Sequence, residues 1–257
     1  MIVAGLVLLA VGLSDLVRQF APRRRRWIVL AVVAIAFFVL SAGADAAPAA
    51  LLGIGVASAW LAVSPADGSG RAGLWPAALL ALIAAASVAV VGPRADTGPL
   101  GELWPNQTPL GAVPLDATVL VLGVLVFLLE SANVIVRTAL RIRPDAAADA
   151  ASVPAAPAPA ASAPAPAASA AAAPPVTAPL RGGRLIGPLE RILVFALTLT
   201  GAYTLIAAVF AAKGIVRFPE ISQDGEHGGR AEYFLVGSLV SWVTALAAAF
   251  LVWWAVR

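Results

Sequence analysis

Seven apolar stretches, each close to or beyond the length that crosses a bilayer, take up most of this chain, and they constrain its fold more than any other feature. A membrane-spanning helix needs about 20 apolar residues, with a range of roughly 17–25. Stretches of that kind lie at 2–20, 27–43, 48–64, 73–92, 115–137, 185–212 and 231–255. The predicted fold is all-α, a polytopic transmembrane helical bundle of seven spans. The third stretch is short, interrupted by glycine and bounded by Pro48 and Pro65, so a re-entrant segment is the alternative there. Only 12% of residues are charged, against about 25% in soluble domains, and mean hydropathy is +0.92. A water-facing surface cannot be assembled from such a chain.

Charge sets the expected orientation. Arg18 and the run Arg23, Arg24, Arg25, Arg26 follow the first span, and positive charge there holds that end in the cytoplasm. The first span lacks a basic leader, so it does not read as a cleaved signal peptide. The N-terminus is therefore expected outside, and seven crossings place the C-terminus inside. On that scheme thirteen cations lie at the inner side, and four (Arg94, Lys213, Arg217, Arg230) lie outside. Trp27, Trp60, Trp75, Trp253 and Trp254 all fall at the expected inner interface, where an amphipathic indole is comfortable. The arginine bias and heavy alanine use point to a GC-rich bacterium and hence to its plasma membrane.

Residues 144–180 differ in kind, with nineteen Ala and nine Pro. Proline every few residues removes backbone donors and defeats the helix that alanine favours. The stretch reads as a disordered, semi-rigid cytoplasmic linker. It divides a five-span unit, 1–143, from a two-span hairpin, 181–257.

Ionisable groups inside spans are costly and form the list of candidate sites. Glu130, Asn133 and Arg137 share one face of the fifth span. Glu130 lies roughly 10 Å above the end marked by Arg137. Glu190 and Arg191 enter the sixth span from the same side. The expected pairs are Glu130 with Arg191 and Arg137 with Glu190, docking the C-terminal unit onto the fifth span. Asp15 and Arg18, one turn apart, read as interface anchors. An outer hairpin cluster comprises Lys213, Arg217, Glu220, Glu232 and Tyr233, with Lys213 or Arg217 expected to reach Glu232. His227 reads as a solvated loop residue, and the sequon at 106–108 carries no weight in a bacterium. Small-residue rows at Ala77, Ala81, Ala85, Ala89 and at Gly237, Ser241, Ala245, Ala249 are candidates for close helix packing.

Cysteine is absent, which excludes thiolate schemes, and the single histidine, His227, removes most zinc and His-based acid–base schemes. Walker, HExxH, GxSxG and EF-hand patterns are missing. No enzyme activity, cofactor or metal is expected. The expected partners are the lipid bilayer and other membrane proteins or a second copy, not nucleic acid.

The segment GRLIGPLER at 183–191, Lys213 with Arg217-Phe218 and Glu220, and AEYFLVGSL at 231–239 resemble a helical pair that closes certain bacterial membrane proteins of a domain-of-unknown-function family. The resemblance covers residues 183 to 250 and does not extend to the N-terminal half. It implies that Glu190, Arg191, Lys213, Arg217, Glu220, Glu232 and Tyr233 work as one unit, and it implies no activity. The function expected is that of a non-enzymatic assembly or interaction component. The alternative is a small-solute or ion transporter or channel using Glu130, Arg137, Glu190 and Arg191. A third reading, a lipid-modifying enzyme, would need clustered carboxylates around an outer cleft.

Overall fold

The computed structural model describes residues 1–66, 73–92, 94, 96–105, 113–141, 183–222 and 229–257, with side chains at all of these except 183, 184, 217–222, 229 and 230. The expected linker at 144–180, His227 and the sequon at 106–108 lie outside the described residues. So do the side chains of Arg217 and Glu220.

The described residues are all-helical: α1 Ile2–Phe20, α2 Arg26–Gly43, α3 Ala47–Val63, α4 Trp75–Val90, α5 Gly98–Glu102, α6 Leu115–Leu129, α7 Ser131–Arg141, α8 Gly183–Leu199, α9 Tyr203–Ser222 and α10 Gly229–Ala255. Three helices (α1, α2 and residues 231–255 of α10) are long and apolar enough to cross a membrane. The pair α6 and α7, bent by 43°, makes a fourth if it counts as one.

Helix α1 is the axis of the bundle. It is buried nearly all round, at Ala4, Leu6, Val7, Leu8, Ala10 and Val11, with α6, α3, α4 and α2 packed about it. A helix apolar on every side belongs in such a position. Two apolar helices gain little from leaving lipid for one another, so close packing has to hold them. Gly5 and Gly12 supply it. A Cβ on Gly5 would lie 2.7 Å from the backbone nitrogen of Leu120, and one on Gly12 2.8 Å from that of Phe127. On the facing side, a Cβ on Gly123 would run into the carbonyl oxygen of Gly5.

Contacts order the two ends of the bundle. At the Met1 end, Arg94 donates to the carbonyls of Ala44 and Asp45 and forms a two-pronged bond to Asp116, at 2.6 and 3.1 Å. That staple ties the α2–α3 turn and the loop after α4 to the start of α6. The carboxylate holding it raises the Arg94 guanidinium further above its ordinary pKa. At the other end, Arg18 donates to the carbonyl of Ser64 and Arg137 to that of Ala66. Helix α3 runs the full distance between, with Gly53 beside Leu6 and Trp60 on Asp15. It packs along α1, and at 17 residues it is shorter than the helices long enough to cross a membrane.

The expected sixth span, 185–212, is broken. Helix α8 ends in a left-handed Gly201, φ +70°, with Ala202 N–H bonded to the Leu197 carbonyl and Gly201 N–H to that of Thr198. This is the Schellman closure of a helix, and glycine is the residue that enters it without strain. Helix α9 then folds back along α8, so that Lys213 meets Glu190 at 2.7 Å. In one continuous helix those residues would stand about 35 Å apart. Helix α10 runs antiparallel to α6 and α7, with Gly237 against Val136 and Leu140 and Ala249 in the core. Residue 257 consequently ends at the Met1 end.

The break also moves the tryptophans. Trp27 and Trp75 stand exposed at the Arg24 end, and Trp253 and Trp254 at the opposite end. Trp60 is no interface anchor, since it is buried with its indole N–H on Asp15.

Candidate functional site

The expected fifth span, here the helix pair α6 and α7, carries its polar residues at a fault between the two. Glu130 leaves helical geometry, at φ −127° and ψ −39°, and the axis turns by 43° between α6 and α7. A bend frees carbonyls that the straight ladder would have used, and buried carbonyls need partners. Leu129 O accepts from the Asn133 side chain at 3.1 Å, and Leu128 O accepts from Arg191 Nη1 at 3.3 Å.

Arg191 is the hub. Although it arrives from α8, more than fifty residues further along the chain than Glu130, it is only 3% exposed. Its Nη1 also donates to Asn133 Oδ1 at 2.7 Å, and its Nε donates to Ser241 Oγ of α10 at 2.9 Å. Asn133 in turn donates to Glu130 Oε2 at 3.1 Å. The expected meeting of Arg191 with Glu130 is thus relayed through the Asn133 amide. Arg137 takes Glu130 Oε1 at 3.4 Å, not Glu190. Four helices (α6, α7, α8 and α10) share one network.

Glu190 points away from that hub. Both its oxygens accept from Lys213 Nζ at 2.7 Å, and Oε1 also accepts from Trp242 Nε1 at 2.7 Å. The Lys213 ammonium sits 5.3 Å from the Trp242 ring and 5.7 Å from that of Phe234, while Phe210 stacks on Trp242. Aromatic faces favour a cation and apolar surroundings strengthen its ion pair. Lys213, assigned by sequence to the outer cluster, therefore belongs with Glu190. Glu232 lies in the first turn of α10, where the helix dipole favours an anion, and Tyr233 beside it is exposed.

Asp15 and Arg18, one turn apart near the end of α1, pair with one another, Asp15 buried in the bundle and Arg18 half-buried. Asp15 is 1% exposed, and its carboxylate accepts from Arg18 Nη2 at 2.6 Å and from Trp60 Nε1 at 2.9 Å. Sequence reading missed Trp60, Ser241 and Trp242 as partners; each sits 45 or more residues from the charge it serves. It also missed the Arg94–Asp116 staple, because Asp116 reads as an ordinary first-turn acid.

Among the described residues, no group of three or more His, Cys, Asp or Glu could hold a metal ion. Beside the network, Trp60, Ser64, Leu74, Val134 and Thr138 line a crevice of about 10 Å³, room for about one water. The chemistry available here is electrostatic closure: buried carboxylates held by arginine, lysine and indole donors. No family model, curated protein or solved structure matches this chain.

Proposed function

We propose that this chain is a non-enzymatic, multi-pass plasma-membrane protein whose intramembrane charges join its two parts into one scaffold for assembly with other membrane proteins. The observation that carries the reading is Arg191, whose donors reach a carbonyl of α6, Asn133 of α7 and Ser241 of α10 while it is almost wholly buried. A charge used in that way is consumed by neighbours and has little left for a passing solute. Such a network sets the arrangement of helices more than it stabilises them.

The proposal includes an orientation. With α8 and α9 folded back on one another, Lys213 and the backbone segments carrying Arg217 and Arg230 lie toward the Arg24 end. Of the described cations only Arg94 and Arg257 then remain at the Met1 end. That distribution favours the Arg24 end as cytoplasmic. It also removes the anomaly of several cations outside. The C-terminal family resemblance at 183–250 stands as part of the same proposal.

A second reading has its own observation. Helices broken at buried charges are how many transporters build substrate sites, and the bend at the buried Glu130 is of that form. Single-cysteine labelling separates the two, since no native cysteine interferes. Cysteines at 130, 133, 191, 213 and 232 would be offered a water-soluble maleimide from each face of the membrane in turn. Reaction at 213 and 232 alone supports the scaffold. Reaction at 130, 133 and 191 from one side reveals an aqueous path and overturns the scaffold in favour of transport.

A further inference from the structure

The turn between α1 and α2 concentrates positive charge that no carboxylate among the described residues pairs with. Arg25 N–H closes it onto the Pro22 carbonyl at 3.0 Å, so Arg23, Arg24, Arg25 and Arg26 crowd into a single tight connection. Arg23, Arg24 and Arg25 are exposed. None of the four forms an ion pair among the described residues, whereas Arg18, Arg94, Arg137 and Lys213 each take a carboxylate. The first turn of α2 contains no acid and no capping side chain. Arg26 adds a separate sign: its Nε is buried without a hydrogen-bond partner. A buried guanidinium donor left unmatched is unfavourable, and four adjacent like charges repel. An anion at this turn relieves both.

The flanks indicate which anion. Phe20, 72% exposed, and Trp27, 78% exposed, bracket the turn and continue into the exposed apolar face of α2 at Ile28, Val32 and Ile35. Exposed aromatics beside a basic turn, next to a face fit for acyl chains, form a surface with a charged head and an apolar tail. Arginine forks match phosphate oxygens in pairs, which a lysine point charge does not. Basic clusters at the end of a membrane helix attract anionic lipids. We infer that Arg23, Arg24, Arg25 and Arg26, with Phe20 and Trp27, form a binding site for the phosphate headgroup of an anionic phospholipid. The inference rests on the membrane reading of the bundle.

The test uses the purified full-length protein in non-ionic detergent. Retention of the chain in carbonate-washed membranes is checked first, because a failure there removes the membrane reading and not the site. Phosphatidylglycerol, phosphatidylcholine and inorganic phosphate are then titrated, and bound lipid is counted by native mass spectrometry. Saturable binding of phosphatidylglycerol at a lower mole fraction than phosphatidylcholine is expected. Replacing all four arginines by glutamine should raise the half-saturating fraction by about tenfold or more. Replacing all four by lysine keeps the charge and the insertion signal but loses the forks, and a rise of about threefold is expected. If the glutamine protein fails to fold, the lysine protein decides the matter. Equal binding of the two lipids overturns the proposal. Undiminished binding by the lysine protein reduces the site to diffuse attraction and overturns it too. Full displacement by inorganic phosphate identifies free phosphate as the occupant and rejects the lipid.

Discussion

Arg191 holds three acceptors from three helices, and removing it would leave Asn133, Ser241 and the Leu128 carbonyl without their buried donor. Each buried group so stranded costs about 1–3 kcal/mol. Arg191→Ala is therefore expected to lower the unfolding midpoint in detergent by several degrees. Asn133→Ala should do the same, and the double variant should lose less than the sum, because both act on one network. Strict additivity would mean the relay from Arg191 to Glu130 does not exist. Glycines give a cleaner contrast. Gly123→Ala drives a methyl into the Gly5 backbone and should cost about 1–3 kcal/mol. Gly55→Ala, with nothing within 4 Å of the new Cβ, should be neutral or gain up to about 1 kcal/mol from helix propensity. Thermal unfolding of the two proteins side by side checks this, and equal behaviour would contradict the close packing of α1 on α6. At this scale the sequence marked which residues were costly, since a charge in an apolar run stands out. It could not mark their partners. Asp15 was visible as an acid, but the indole that holds it lies 45 residues away, and no spacing rule links them.

Among elements, the hairpin of α8 and α9 is the feature that sequence reading ran together. Hydropathy does not register a turn whose residues are themselves apolar, and Thr200-Gly201-Ala202 interrupts nothing. Two signals were present nonetheless. The stretch 185–212 exceeds the length a bilayer requires, and Gly201 sits where a Schellman closure would put it. Glu190→Cys with Lys213→Cys offers a direct test. A thiol cross-linker about 10 Å long should join them in the folded protein, a separation a continuous helix of about 35 Å forbids. Absence of the cross-link in protein that otherwise labels at both sites would restore a single long span. Gly201→Ala should weaken the turn by about 1–2 kcal/mol, since alanine resists positive φ, and reduce the cross-link yield accordingly. Small-residue rows fared unevenly. Ser241, Ala245 and Ala249 are buried as expected, whereas Ala81 and Ala89 are exposed and α4 buries Pro76, Leu80, Ala84 and Ser87 instead. In an alanine-rich helix every face offers such a row, so only the second, marked by Gly237 and Ser241, was specific.

For the whole molecule, one turn changes parity. Seven crossings place residues 1 and 257 on opposite faces of a membrane. If the other stretches cross as proposed, folding the sixth back on itself would bring them to the same face, whether α8 and α9 each cross or enter and return together. Charge argues for the folded-back arrangement over seven crossings, because it gathers cations at the Arg24 end and leaves only Arg257 and Arg94, the latter already neutralised by Asp116, at the other. Four exposed positions make the consequence measurable: Arg24 and Arg141 at one end, Asp96 and Arg257 at the other. Single cysteines at these sites, labelled by an impermeant maleimide in sealed right-side-out vesicles, should fall into two classes. Positions 96 and 257 should react from outside. Positions 24 and 141 should react only after the membrane is opened. If 257 instead behaves like 24, the chain crosses an odd number of times. With every other stretch crossing as proposed, Glu190 and Lys213 would then lie at opposite depths, and their contact could not exist in the membrane. The labelling pattern of residue 257 thus decides the hairpin, the cation distribution and the location of the Glu190–Lys213 pair together.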